Sequence, residues 1–175
     1  MVPDAALSAT LAAVRPAGLS GNESGVFWLG ERASIARIRS VVIPSGAGVV
    51  ESPGCWQVSA DVFGSITRWA VPRRLCLLGM AHTHMPDVPV ALSRTDRTHS
   101  VQVPGLLEII IGNAGEDANH REWAWYVREE RGYHQLTESE LSIRVRLEFG
   151  VAVDSWRADA RGVYLLDNYE EPRVQ

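Results

Sequence analysis

Apolar and polar positions along this chain fall into short blocks of two different periods. From Ala5 to Arg15, Leu7, Leu11 and Val14 lie on one helical face, so a helix is expected there, ended by Pro16 and Gly18. Ser24 to Leu29 is a short apolar run between glycines, which suits a buried strand. Ser34 to Ile43 interleaves Ile35, Ile38, Val41 and Val42 with Arg37 and Arg39 and predicts a second strand, ended by Pro44. The Gly-rich stretch Ser45 to Gly54 reads as a loop between strands and not as a linker. Val58, Val62, Ile66 and Trp69 then return to helical spacing, with Ser59 as N-cap and Pro72 closing the segment.

The second half is dominated by strands. Leu75 to Met80 is a continuous apolar run, as a central strand requires. Leu106 to Ile111 reads as another buried strand, bounded by Pro104-Gly105 and Gly112-Asn113. Glu122 to Arg128 alternates Trp123, Trp125 and Val127, and Leu141 to Phe149 alternates Ile143, Val145, Leu147 and Phe149. Both read as strands, the second with a basic polar face from Arg144 and Arg146, and Gly162 to Leu166 as a last one. Helices interspersed among strands that need one another give an α/β (α+β) chain with a single mixed sheet flanked by helices.

Composition changes this picture little. With 175 residues and 46% hydrophobic content, the whole of 1–175 is read as one domain. A net charge of -4 argues against an electrostatic hold on nucleic acid or anionic lipid. No apolar run has the length of a membrane span, and Met1 to Val14 carries Asp4 and no basic residue, unlike a secretory signal. Cys55 and Cys76 are too few for a disulfide framework and read as buried thiols, so a cytoplasmic location is expected. All 17 basic residues are arginine, which is read as codon bias in a GC-rich genome. A functional reading, freedom from side-chain amine modification, matters only beside a lysine-conjugating system.

The candidate chemistry begins where the Leu75–Met80 strand ends, at His82-Thr83-His84. Residues two apart in extended chain point to one side, so both imidazoles can reach one metal ion. Such a pair is equally compatible with surface or hydrogen-bonded core histidines. Downstream, Ser93-Arg94-Thr95-Asp96 has the form of a capped helix start, which would hold a carboxylate rigidly near the strand's end. Two histidines and an aspartate leave a fourth zinc position open, the catalytic arrangement. Upstream, Glu23 in Gly21-Asn22-Glu23-Ser24-Gly25 is either an exposed turn acid or a base beside the metal.

Taken together, these residues resemble the JAMM (MPN+/JAB) metallo-isopeptidases. That pattern is a glutamate before a Gly-containing apolar strand, then H-x-H-P, then S-x-x-D; here it reads Glu23 to Gly30, His82-Thr-His84, and Ser93 to Asp96. Met85 stands between His84 and Pro86, one residue more than the pattern, and Val26 replaces a usual glycine. The resemblance spans about Ala5 to Val127. It implies a JAB/MPN fold with cytidine-deaminase-like layering, a core over about 5–135 and a C-terminal extension over 136–175. It further implies one Zn2+ held by His82, His84 and Asp96 with a water as fourth ligand, Glu23 as acid/base and Ser93 as oxyanion donor. Family members cleave after the glycine tail of ubiquitin or a ubiquitin-like protein. The short stretch from Arg97 to Gly105 is similar to standalone bacterial and archaeal members, among them sulfur-carrier processing enzymes and those of ubiquitin-like conjugation operons linked to antiviral defence.

His99, His120 and His134 lack ligand-like spacing, although His99 is close enough to Asp96 to line an entrance. Trp123, Trp125 and Tyr126 read as packing. The tail from Val151 onward is free to extend the sheet, form a dimer contact or bind a partner. Other functions open at this point are a zinc amidase for a small molecule, a metal-free scaffold of the same fold, and a DNA-associated relative, which the acidic balance disfavours.

Overall fold

The computed structural model describes residues 1–166. In chain order the elements are β1 (Val2–Pro3), α1 (Asp4–Leu19), β2 (Gly25–Glu31), β3 (Arg37–Pro44), β4 (Val49–Ser52), β5 (Cys55–Val58), α2 (Ala60–Ala70), β6 (Cys76–Thr83), α3 (Arg94–His99), β7 (Leu107–Ile111), β8 (Ala124–Glu129), β9 (Gly132–Gln135), α4 (Glu138–Arg144), β10 (Leu147–Glu148), β11 (Asp154–Ala158) and β12 (Val163–Leu165). Eight strands form one mixed sheet in the order β12-β11-β3-β2-β6-β7-β8-β9. Its β6–β7 and β3–β11 pairs are parallel and the rest antiparallel. This is the mixed, helix-flanked sheet that the apolar pattern predicts.

The central strands are apolar on both faces because both faces are covered. Val26 and Trp28 of β2 join Leu7, Leu11 and Val14 of α1 in one core. Phe27 and Leu29, pointing the other way, join Val62, Ile66 and Ala70 of α2 in a second. In this first core the indole N–H of Trp28 donates to Thr10 Oγ1 at 2.9 Å. Trp125 packs 5.9 Å from Trp28, and Trp123, Trp125 and Tyr126 are all buried, as expected of packing residues.

Three expectations are corrected. Pro16 does not end α1, which runs on to Leu19. Gly18 seats the last turn so closely on Ala114 that a Cβ there would lie 1.9 Å from the Ala114 carbonyl oxygen. The Ser45–Gly54 loop contains β4, and β4 pairs with β5 across a Pro53-Gly54 turn in which Gly54 has φ +75°. Leu141 to Phe149 is not a strand: it is α4 followed by the two-residue β10, which pairs with β1. Thr137 and Glu140 form a complete capping box, and this local helix start prevails over the alternation, leaving Ile143 exposed. Beyond it, β11 lies parallel to β3, so the 136–166 region extends the main sheet. None of the helices among the described residues is long and apolar enough to cross a membrane.

Candidate metal centre

Three elements deliver the site. β6 carries His82 and ends at Thr83, one residue before His84. The chain just past β6 is pinned by backbone bonds on both sides, His84 N–H to the Ile111 carbonyl (2.8 Å) and Ala114 N–H to the His84 carbonyl (2.8 Å). The residue added at Met85 is taken up in a turn, closed by Val88 N–H to the Met85 carbonyl. α3 begins as its S-x-x-D pattern requires: Ser93 Oγ accepts from Asp96 N–H at 3.1 Å, and Ser93 N–H donates to Asp96 Oδ2 at 2.7 Å. Its base is fastened to the sheet through Leu92, Ile110, Ala124 and Tyr126. Glu23 stands just before β2, its N–H donating to the Ser52 carbonyl of β4.

His82, His84 and Asp96 converge. One ligand atom from each lies within 4.8 Å of the others. His82 Nε2 is 3.4 Å from Asp96 Oδ1, and His84 Nε2 is 3.4 Å from Asp96 Oδ2. A tetrahedral zinc with bonds of about 2.0–2.1 Å separates its ligand atoms by about 3.3 Å, so these spacings fit the ion. Both His82 nitrogens are buried without a hydrogen-bond partner, whereas His84 Nδ1 meets the Pro89 carbonyl at 2.9 Å, which leaves its Nε2 directed at Asp96. Glu108 of β7 stands behind His82, with Oε1 3.4 Å from His82 Nδ1.

The electrostatics favour a cation. Burial works to lower the His82 imidazole, yet the Asp96 and Glu108 carboxylates outweigh it and hold its pKa at about 9. Asp96 is lowered well below the ordinary carboxylate range: burial opposes this, and the His82 and His84 imidazoles beside it overcome it. Glu23 is buried, and desolvation raises its pKa against the lowering pull of His84 and His82.

Glu23, Ser93 and the three ligand residues open on one cleft of about 550 Å³. Phe27, Trp56 and Phe63 supply an aromatic wall, and His99 lines the cleft too. His120 and His134 lie elsewhere, His134 paired with Glu140 at 2.9 Å. Trp56 stacks on His82 at 6.0 Å between ring centroids, in the space left by Gly25, where a Cβ would come within 2.8 Å of the indole. Glu108, Trp56 and Pro89 are the members of this site that the motif does not contain. An acid inside the aliphatic run Leu106–Ile111 was a visible signal for the first; nothing local marks the other two.

No protein-family model and no curated protein sequence matches the chain. Among solved structures, a protein from Desulfitobacterium hafniense superposes with a TM-score of 0.57 at 17% identity, covering 87% of this chain and 95% of that one. A protein from Salinibacter ruber gives 0.50 at 15% identity, covering 78% and 89%. The chain shares their fold. The structural neighbours also include a JAB1/MPN domain protein from Archaeoglobus fulgidus, at a TM-score of 0.46 and 14% identity over 85% of this chain and 96% of that one.

Proposed function

We propose that this chain is a zinc-dependent peptidase or isopeptidase that cuts after the C-terminal tail of a ubiquitin-like protein. The setting proposed is precursor maturation or deconjugation in a bacterial ubiquitin-like pathway of antiviral defence. The observation that carries the reading is the meeting of His82, His84 and Asp96 with Glu23 and Ser93 in one cleft, from β2, β6 and α3, in the order of the JAMM pattern.

His82, His84 and Asp96 hold one zinc ion, three protein ligands being the catalytic complement. When bound, zinc polarises the scissile carbonyl and draws the pKa of water towards ~7. Glu23 takes the proton from the attacking water and passes it to the leaving amine, a double role suited to a buried carboxyl of raised pKa. Ser93 Oγ already accepts from Asp96 N–H, so its own O–H is left to donate to the oxygen that gains charge. The β4–β5 hairpin pairs with no other strand among the described residues. With Cys55 to Val58 on the cleft wall, it offers a strand edge to an extended tail.

Metal analysis with a cleavage assay on ubiquitin-like fusions tests this. One zinc per chain is expected, and Glu23→Ala should keep that zinc while losing turnover by about 10²–10⁴-fold. A wild type that takes up no zinc, or an active Glu23→Ala, would sink the reading. Glu23-dependent amide cleavage confined to small substrates would reassign it to an amidase.

A further inference from the structure

Glu108 is a carboxylate where none is easily tolerated. It is the second residue of β7, wholly buried, beside the fully buried Ile109, Ile110 and Ile111. Neither carboxylate oxygen has a hydrogen-bond partner of good geometry. An isolated buried carboxylate is costly, so its presence needs a compensating positive charge or a strong donor.

The register of the sheet supplies one. In the parallel β6–β7 pair Met80 stands opposite Glu108 and His82 opposite Ile110, and both Glu108 and His82 open on the same cleft. His82 thus lies between two carboxylates, Glu108 at Nδ1 and Asp96 at Nε2, each at 3.4 Å. His84 is held differently, its Nδ1 meeting a neutral carbonyl, that of Pro89.

We propose that Glu108 is the positioning residue of the metal centre: it holds the proton of His82 on Nδ1, leaves Nε2 bare for the metal, and places a carboxylate behind that ligand. This rests on the zinc reading above. The geometry makes the case in two steps. An imidazole can present Nε2 to a metal only if its proton is on Nδ1, and a carboxylate beside Nδ1 selects that tautomer and raises the ligand's basicity. A dication held by Asp96 and two neutral histidines carries a net positive charge, and Glu108 sets a carboxylate behind one of those ligands. The same pairing explains why the carboxylate is tolerated inside β7.

The test is zinc affinity by chelator competition, with the ring nitrogens of His82 followed by ¹⁵N NMR. Wild type should show His82 protonated at Nδ1 in the zinc-loaded protein. Glu108→Leu should bind zinc about 10–100-fold more weakly and lose the preference for that tautomer. Glu108→Gln keeps an acceptor oxygen without the charge. It should retain the Nδ1 proton while binding zinc about 10-fold more weakly, and it decides the matter should the leucine variant not fold. Melting of the zinc-free proteins separates this role from a structural one: removing a buried charge should leave Glu108→Leu at least as stable as wild type. Wild-type zinc affinity in either variant overturns the proposal while leaving the zinc site standing. A wild type whose zinc binding is absent, or is unaffected by His84→Ala, overturns both.

Discussion

In the proposed reaction Ser93 serves two ends with one hydroxyl. Its oxygen caps α3 by accepting from Asp96 N–H, and its proton is the one that would donate to the oxyanion. The two roles separate on substitution. Ser93→Ala should lose about 1 kcal/mol from the cap, or a melting drop of about 2–4 °C for a chain of this size. Turnover should fall about 10²–10³-fold. Ser93→Asp, which can accept but not donate, should restore the melting temperature and not the rate; recovery of both would remove Ser93 from the oxyanion role. At this scale the candidate site was legible in large part. His82 with His84, and Ser93 with Asp96, form short patterns whose partners are only a few residues apart, and Glu23 came from its place in the family pattern. Glu108 was visible as a misplaced acid, but its partner depends on how β7 registers against β6. Trp56 reaches His82 only because Gly25, on another strand, leaves the room.

Among elements, two of the errors lie where a local cap or turn decides the structure. Leu141 to Phe149 alternates as a strand would, but the Thr137–Glu140 box starts a helix instead. That box has its own pH signature. Hydrogen bonds from the Thr137 backbone N–H, then from His134 and the Thr137 hydroxyl, lower the Glu140 carboxyl from 4.5 to about 2. A folded pKa below the unfolded one contributes stability above pH 4.5, and this contribution fades as the pH falls towards 2. Wild type should therefore be more stable than Glu140→Gln at pH 6 by chemical denaturation, and the gap should close as pH 2 is approached; a constant gap would refute this cap. The β4–β5 hairpin makes a second case. Pro53-Gly54 signals a turn, yet the glycines around it hide two strands of four residues each. Gly25→Ala would place its Cβ within 2.8 Å of the Trp56 ring and 2.7 Å of the Ala81 carbonyl oxygen. It should push the hairpin off the site, change tryptophan fluorescence and destabilise the protein by about 1–3 kcal/mol. An unchanged emission spectrum would show that Trp56 does not depend on that space.

Across the whole molecule, the proposed centre sits where independent parts of the fold meet. β6 is interior to the eight-stranded sheet, whereas α3 is a six-residue helix with no buried residue of its own, held by its cap and by Leu92 at its base. A metal gripped by His82 and His84 on one side and Asp96 on the other would therefore join the least anchored element near the cleft to one of the best anchored. The overall layering was readable from β2, whose apolar residues face α1 and α2 by turns. The join was readable only in part: the capped Ser93-x-x-Asp96 start marks an acid near the strand's end, but its meeting with the histidines depends on α3 folding back over the sheet. Zinc that binds the folded state alone adds stability as RT ln(1 + [Zn]/Kd), about 2.7 kcal/mol at a hundredfold excess over Kd. Thermal melts should rise by about 5–10 °C on saturation and fall back on chelation. His84→Ala should abolish the rise. Hydrogen exchange gives the finer reading: α3 amides should gain protection with zinc, while those of β2 and β6, already enclosed by both cores, should change little. A uniform gain across all elements would mean that the ion binds without tying α3 to the sheet.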